Sequence, residues 1–590
     1  MKSDSFRNNR KALAALLLCT GFIAGQPLTV RATGNEQSVQ TVQQQIKVSG
    51  TVSDALGPVI GASVVEKGNA SNGTITDVNG NFSLSVPSGA MLLISYIGYK
   101  AQEVQAVAGR VIDVTLKEDT EMLDEVVVVG FGTQKKVNLT GSVGIATAKE
   151  LESRPVSSAT QALQGLVPGL KITTNTGQLG KNMDISVRGT GTIGDGSSGA
   201  PLILIDGMEG DINTVNPQDI ENISVLKDAA ASSIYGSRAP FGVILVTTKK
   251  GKEGKISVNY NNSFRISTPI NMPEAMDSYS FAVMMNYAGV NQGVGQDYTD
   301  DVLQKMLDFQ AGKLQYGLDE KNSSAWEDRW TKGYANTDIW KETYKSSVFS
   351  HEHNMSVTGG SEKMSYYASF NYLDQEGLIR FGEEGQKRYN ATGKINATLT
   401  DWLKFNWSTR FTRTDGWRPR AFTDSYYDGL GRGNWPNLPV YDRNGHINQD
   451  GPRQLAEGGQ RNQQIDRQYY QGAFILEPVK NWITNVEFNY HIKNDHVKEA
   501  TLTYYNYDPQ GNEINNGSQS TSLFESQLKE NYLNLNVYSS YSHSFADKHN
   551  LKFMAGFQAE KMKQHYFSVT KYGLITEQED FWDFDLTNGL

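Results

Sequence analysis

Cysteine is all but absent: the 590 residues contain one, Cys19. It sits inside a short apolar run near the start, with Leu18 before it where a lipoprotein signal would need a small residue. A processed chain is therefore expected to carry no disulfide frame and no thiolate metal site. An excess of basic charge is missing too. The formal net charge is -9, which excludes the electrostatic footprint of a nucleic-acid binder. Past residue 24 there is no apolar run of the roughly 20 residues that a spanning helix needs. The remainder is then either soluble or a closed β-barrel, the other backbone that lipid tolerates. No G-x-S-x-G, H-E-x-x-H, Walker or CxxC pattern occurs, so neither an enzyme nor a cofactor is expected.

What is present begins with an address. Lys2, Arg7, Arg10 and Lys11 precede the apolar stretch from Ala12 to Ala24, and Val30-Arg31-Ala32 offers the small-residue spacing of a cleavage site. Residues 1–32 are read as a secretory signal, since the run is too short for an anchor.

Residues 46–117 hold short alternating runs (IKVSGTVSD, VIGASVVEKG, NFSLSV, MLLISYIGYK, VIDVTLKE) at close, regular spacing, the pattern of a small β-sandwich. Asp77-Val78-Asn79-Gly80 resembles the start of a calcium loop but lacks the closing glutamate, so a hairpin turn is preferred. Residues 118–136 lead from acidic positions into four valines and a basic end. Consecutive β-branched residues favour an extended chain.

Residues 137–252 are of mixed α/β texture. Helices are expected from Ser157 to Leu166, with a serine cap, and from Asp228 to Tyr235; strands are expected at 184–188, 201–206 and 242–248.

From 253 to 590 the pattern becomes long period-2 strands. Leu403, Phe405, Trp407, Thr409 and Phe411 alternate with Lys404, Asn406, Ser408 and Arg410, and similar runs recur near 364–372, 389–399, 486–492 and 551–557. Such strands exceed the usual globular length of about 5–6 residues and suit tilted membrane strands of about 9–11. Longer and short connections alternate without a break: longer at 268–346, 375–386, 415–465 and 508–521, short at 359–362, 400–401, 477–481 and 546–550. Outer-membrane barrels sort loops in this way. Nine strands are counted, the last ending near residue 571, too few to enclose a plug of this size, for which about 22 strands are usual. The sequence is therefore expected to be truncated within the barrel. The expected fold is mainly β: a small sandwich extension, an α/β plug, then the first part of a large antiparallel transmembrane barrel.

Asp124, Glu125, Val126, Val127, Val128, Val129 and Gly130, followed by FGTQKK, resemble the TonB box of SusC/RagA transporters. SVRGTGTIG (186–194), PLILIDGM (201–208) and ISVLKDAAASSIYGSRAPFGVILVTTKKG (223–251) resemble that family's plug, and residues 46–117 its carboxypeptidase-regulatory-like extension. The resemblance implies TonB-dependent import across the outer membrane of a large nutrient, an oligosaccharide or less often a peptide. It also implies two partners, TonB with its inner-membrane motor and a SusD-like surface lipoprotein. Two alternatives stay open: a siderophore or vitamin receptor, and a non-transporting truncated product. Independently of the name, an extended valine run can add to a partner's sheet edge.

Other candidates are weaker. Gly189, Gly191 and Gly194 match a dinucleotide fingerprint, but DGSSGAP follows and cannot open a helix. Arg188 and these glycines are read instead as a plug loop facing ligand. His351 and His353 share a strand face but lack a third ligand and are read as solvated. Trp417, Trp435 and Tyr441, in the loop at 415–465, either stack on a sugar or pack the loop; packing is preferred.

Overall fold

The computed structural model describes residues 45–574, apart from 55–56, 68, 97–98, 118–125, 130–131, 136–141, 155, 175–176, 190, 193–198, 229–231, 516–519 and 546–548. The signal segment, Asp124, Glu125, Gly130 and Gly194 lie outside the described residues. The chain divides into two compact units, up to Glu125 and from Val126 onward.

The first unit is a sandwich. Gln45–Ser53 sits between Asn81–Pro87 and Ile112–Thr115, and a second sheet orders Asn69–Ile75, Ser63–Glu66, Met91–Ser95 and Gln102–Gln105. Alternation in each strand sends Val48, Val52, Leu84, Val86, Leu92 and Ile94 into one shared core. Each such side chain contributes about 1.5–3 kcal/mol on burial. The Asp77 carboxylate accepts the amides of Asn79 (2.9 Å) and Asn81 (2.8 Å), and Gly80 adopts a left-handed φ of 76°. The segment is a hairpin turn, as its sequence indicates.

The second unit begins with a plug. Its five-stranded sheet runs Val143–Thr147, Ile220–Leu226, Val243–Thr248, Leu202–Ile205, Met208–Glu209, with Leu202–Ile205 parallel to Val243–Thr248. Ala159–Leu163 forms the first expected helix, and the Ser158 hydroxyl accepts the Thr160 amide as its cap. Of the second expected helix, from Asp228 to Tyr235, residues 229–231 lie outside the described residues; the Ser232 amide donates to the Asp228 carbonyl at 3.1 Å, and a 3-10 segment, Ser233–Arg238, follows, with Gly236 at φ 56° and ψ -139°.

Nine antiparallel strands follow, each paired with the next in chain order: Gly254–Ser267, Val348–Ser361, Met364–Glu376, Gly385–Thr400, Leu403–Pro419, Gln460–Val479, Trp482–Thr501, Ser522–Phe545 and His549–Tyr572. Among the described residues the sheet is open, with the first and ninth strands at its edges. Its faces invert the usual order. Phe264, Phe349, Phe370, Trp407, Phe474 and Phe488 are exposed on one side, whereas Glu352, Asn371, Arg388, Lys394, Arg410 and Thr412 are buried against the plug on the other. Apolar-out and polar-in is the arrangement of a membrane barrel wall. No described helix is long and apolar enough to cross a membrane.

The strands outrun the sequence-based limits. The long loop occupies 420–459 rather than 415–465, so Trp417 belongs to a strand. Near 412–416 both faces turn polar and the alternation that marks a strand disappears, although pairing continues to Pro419 opposite Gln460. The loop at 268–347 carries four unforeseen helices, Ser278–Gln292, Asp300–Gln310, Arg329–Lys332 and Ile339–Thr343.

Candidate functional site

Val126–Val129 is extended, and its backbone pairs antiparallel with Gly132–Lys135, Val129 opposite Gly132. The valine run thus forms half of a two-stranded ribbon, and no third described strand pairs with it.

The described residues of the glycine loop, Arg188, Gly189 and Gly191, have specific backbone and packing constraints. Arg188 and Gly189 have φ of 57° and 96°, and the Arg188 amide donates to the Gly169 carbonyl at 2.8 Å. A Cβ on Gly191 would sit 2.1 Å from Phe241 Cδ1, so the loop needs glycine there to admit the ring.

His351 and His353 lie on the apolar outer face with Phe264, Phe349 and Tyr372, and the Tyr260 hydroxyl is 2.8 Å from His353 Nδ1. They join an aromatic belt there, which corrects the solvated reading. Among the described residues no three metal-ligating side chains gather. Trp435 packs between Phe281 and Trp330, and Tyr441 lies beside Phe381, both within the loops.

The contacts that fasten plug to wall were not singled out in the sequence. Asp206 and Gly207, both left-handed, close a two-residue turn between Ile205 and Met208. From that turn the Asp206 carboxylate receives Lys394 Nζ at 2.8 Å, the Thr248 amide at 2.9 Å and the Thr248 hydroxyl at 2.7 Å. Burial raises the Asp206 pKa, but Lys394 and Thr248 outweigh it, so the carboxyl titrates below its ordinary range. Asp219 accepts the hydroxyls of Tyr367 and Ser369, each at 2.8 Å. Burial dominates there and the hydroxyls offset only part of it, so the Asp219 pKa is raised. Arg388 donates to the carbonyls of Asn213 (2.9 Å) and Ser157 (2.8 Å), and Asn390 to that of Thr214 (2.6 Å). Inward parity on a strand, combined with charge, is the signal that would have found Arg388 and Lys394.

Above these contacts, at the end of the sheet that carries the long loops, plug residues 177–183 face the wall across two adjoining cavities of about 310 and 330 Å³. Gln178, Lys181, Gln386, Thr414 and Ile465 line both. Arg188, Gly189 and Gly191 line neither. Glu384 lines the first; its carboxyl is pushed up to about 7, chiefly by burial, with the Leu179 amide of the plug offsetting part.

Residues 48–128 match the CarboxypepD_reg-like domain and residues 135–243 the TonB-dependent Receptor Plug Domain. TonB-dependent receptor P39 of Formosa agariphila is 30% identical over 553 residues, covering 90% of this chain and 47% of that protein. TonB-dependent receptor SusC of Bacteroides thetaiotaomicron is 36% identical over 387 residues, covering 63% of this chain and 34% of that protein. Among solved structures, the RagAB peptide importer in its open-open state shares the fold, with a TM-score of 0.63 at 24% identity over 78% of this chain and 52% of that one. The chain spans about half the length of the curated relatives it matches over most of its own length.

Proposed function

The chain belongs to the SusC/RagA family of TonB-dependent receptors, and on that premise we propose that it serves import of a large nutrient across the outer membrane, an oligosaccharide or less often a peptide. The observation that carries this reading is the inside-out sheet whose polar face holds a plug by hydrogen bonds and ion pairs. Polar contacts suit a plug that must move. Unlike an apolar core, they can be exchanged for water as the plug shifts.

Residues 1–32 direct the chain out of the cytoplasm, and the short strand turns and the valine ribbon face the periplasm. TonB adds a strand to the edge of Val126–Val129 opposite its pairing with Gly132–Lys135, with Asp124, Glu125 and Gly130 flanking it. Main-chain bonds transmit the pull of the inner-membrane motor to the plug, since the outer membrane has no ion gradient or ATP of its own. A SusD-like lipoprotein covers the long-loop end and delivers ligand to the cavity beside residues 177–183.

Deleting Asp124–Gly130 from the full-length transporter should abolish uptake while leaving the protein in the outer membrane. Uptake that survives the deletion removes the TonB-box assignment. A siderophore or vitamin receptor is the alternative; the extension at 46–117 favours the first reading. Growth of a null strain separates them, failing on a glycan or peptide in one case and on low iron in the other.

A further inference from the structure

The paired cavities are lined by more cations than anions. Lys181, Arg388, Arg418, Arg461 and Arg467 line them, against Asp211 and Glu384. The cations are incompletely neutralised by their neighbours. Arg388 donates to two neutral carbonyls, its Nε has no partner, and Glu352, 3.9 Å away, already pairs with Arg265. Arg418 donates to the Phe422 carbonyl. Arg461 shares Glu499 with Arg420, at 2.8 and 3.2 Å, and Arg467 meets Asp211 only at 3.5 Å. Glu384 is 8% exposed and one of its carboxyl oxygens has no partner. The cavities lie against the third to sixth strands, in the interior of the nine-stranded sheet, so neither open edge creates them.

We infer that this groove selects an acidic oligosaccharide, its cations taking a carboxylate or sulfate of the sugar and its amides the hydroxyls. The inference rests on the importer reading and adds the substrate class. Guanidinium groups bind carboxylate and sulfate in forked geometry, and a cleft of one sign between low-dielectric walls concentrates the opposite charge. Gln178, Gln386 and Gln463 each offer a donor and an acceptor, which matches a polyhydroxylated chain better than an apolar peptide side chain.

The test is binding by the purified full-length protein to trigalacturonate and chondroitin sulfate tetrasaccharide, each beside its carboxyl-reduced or desulfated counterpart, and to a Glu-rich tetrapeptide. Binding is expected for at least one acidic sugar, about tenfold or more above its neutral form, falling as salt rises. Lys181→Glu, on an exposed plug loop, should weaken it about tenfold, and Arg418→Gln likewise. Preference for a neutral form, for the peptide, no binding at all, or indifference to Lys181→Glu each overturns the inference. Uptake of a neutral glycan that is lost on deletion of Asp124–Gly130 would overturn the acidic class and leave the importer reading standing.

Discussion

Replacing Lys394 by methionine leaves the Asp206 carboxylate without a cationic partner among the described residues, in a position where the lysine is 6% and the aspartate 15% exposed. The two Thr248 hydrogen bonds remain, but they come from neutral donors. Removing one member of a buried ion pair costs about 3–5 kcal/mol, most of it the penalty of the charge left behind. Because the pair joins plug to wall, the cost falls on docking of the plug. Amide exchange of Thr248 and its sheet neighbours in the full-length protein should accelerate by roughly 10²- to 4 × 10³-fold, at about 1.4 kcal/mol per decade. Asp206→Asn should do the same from the other side. Asparagine suits the left-handed turn before Gly207, so that variant isolates charge from backbone effects. The double variant carries neither charge and should recover most of the protection. Unchanged exchange in Lys394→Met, or additive losses in the double variant, would refute the claim that this pair anchors the plug. Its pH sense follows from the depressed Asp206 pKa: the contribution is present above the ordinary carboxylate range and is lost as pH falls through the lowered value.

The Glu384 carboxyl, raised from 4.5 to about 7, binds its proton more tightly in the folded state, so docking should weaken as pH rises through that window, by roughly 3 kcal/mol at pH 8. Glu384→Gln should remove this dependence, and thermal unfolding at pH 4.5 and pH 8 would detect it; equal shifts at both values would count against it. Gly191→Ala drives a methyl group into Phe241 and should loosen the plug by about 1–3 kcal/mol, with Phe241→Ala restoring part of the loss in the double variant when plug exchange is measured. Arg453 is 1% exposed and ties the Ile447 carbonyl to that of Tyr505 across two long loops. Arg453→Met should free those loops, seen as proteolysis within 420–459 and 502–521, and an uncut variant would show that the His446–Tyr507 stack suffices.

The sequence speaks most clearly where one physical demand repeats. Nine membrane strands each place apolar residues outward and polar ones inward, so their number and the alternation of long and short loops could be read without a structure. Where the demand changes, the pattern fades. Above residue 412 both faces of the strand are polar, and the pairing of Arg418 with Arg461 across two strands leaves no periodic trace. The helix Ser278–Gln292 had local signals, an Asp277 cap and Gly293 in the left-handed conformation, but they sat inside a segment read as loop because its neighbours were strands. Gly191 carries a constraint that its motif does not show: it comes from Phe241, fifty residues on in the sequence, which no local window includes.

The plug contacts belong to the same class of hidden pairing, and they bear on how the molecule works. One apolar cluster, Met208 with Tyr469 and Tyr532, lies between the two bodies; beside it stand polar contacts, Asp206 with Lys394, Asp219 with Tyr367 and Ser369, and Arg388 and Asn390 with backbone carbonyls. Each polar contact is worth little net against water, about 0.5–1.5 kcal/mol for a neutral bond, yet each is costly to leave half-made. Such an interface is stable while every partner is present and can be released in steps once a pull admits solvent. Lys394 and Asp219 lie in its lower part, toward the short-turn end, whereas Arg388 and Glu384 lie in the upper part beside the cavity. Force applied through Val126–Val129 would therefore meet the ion pair before it reaches the ligand groove. If that order holds, Lys394→Met should lower the force at which the plug first yields and leave ligand affinity in the groove unchanged.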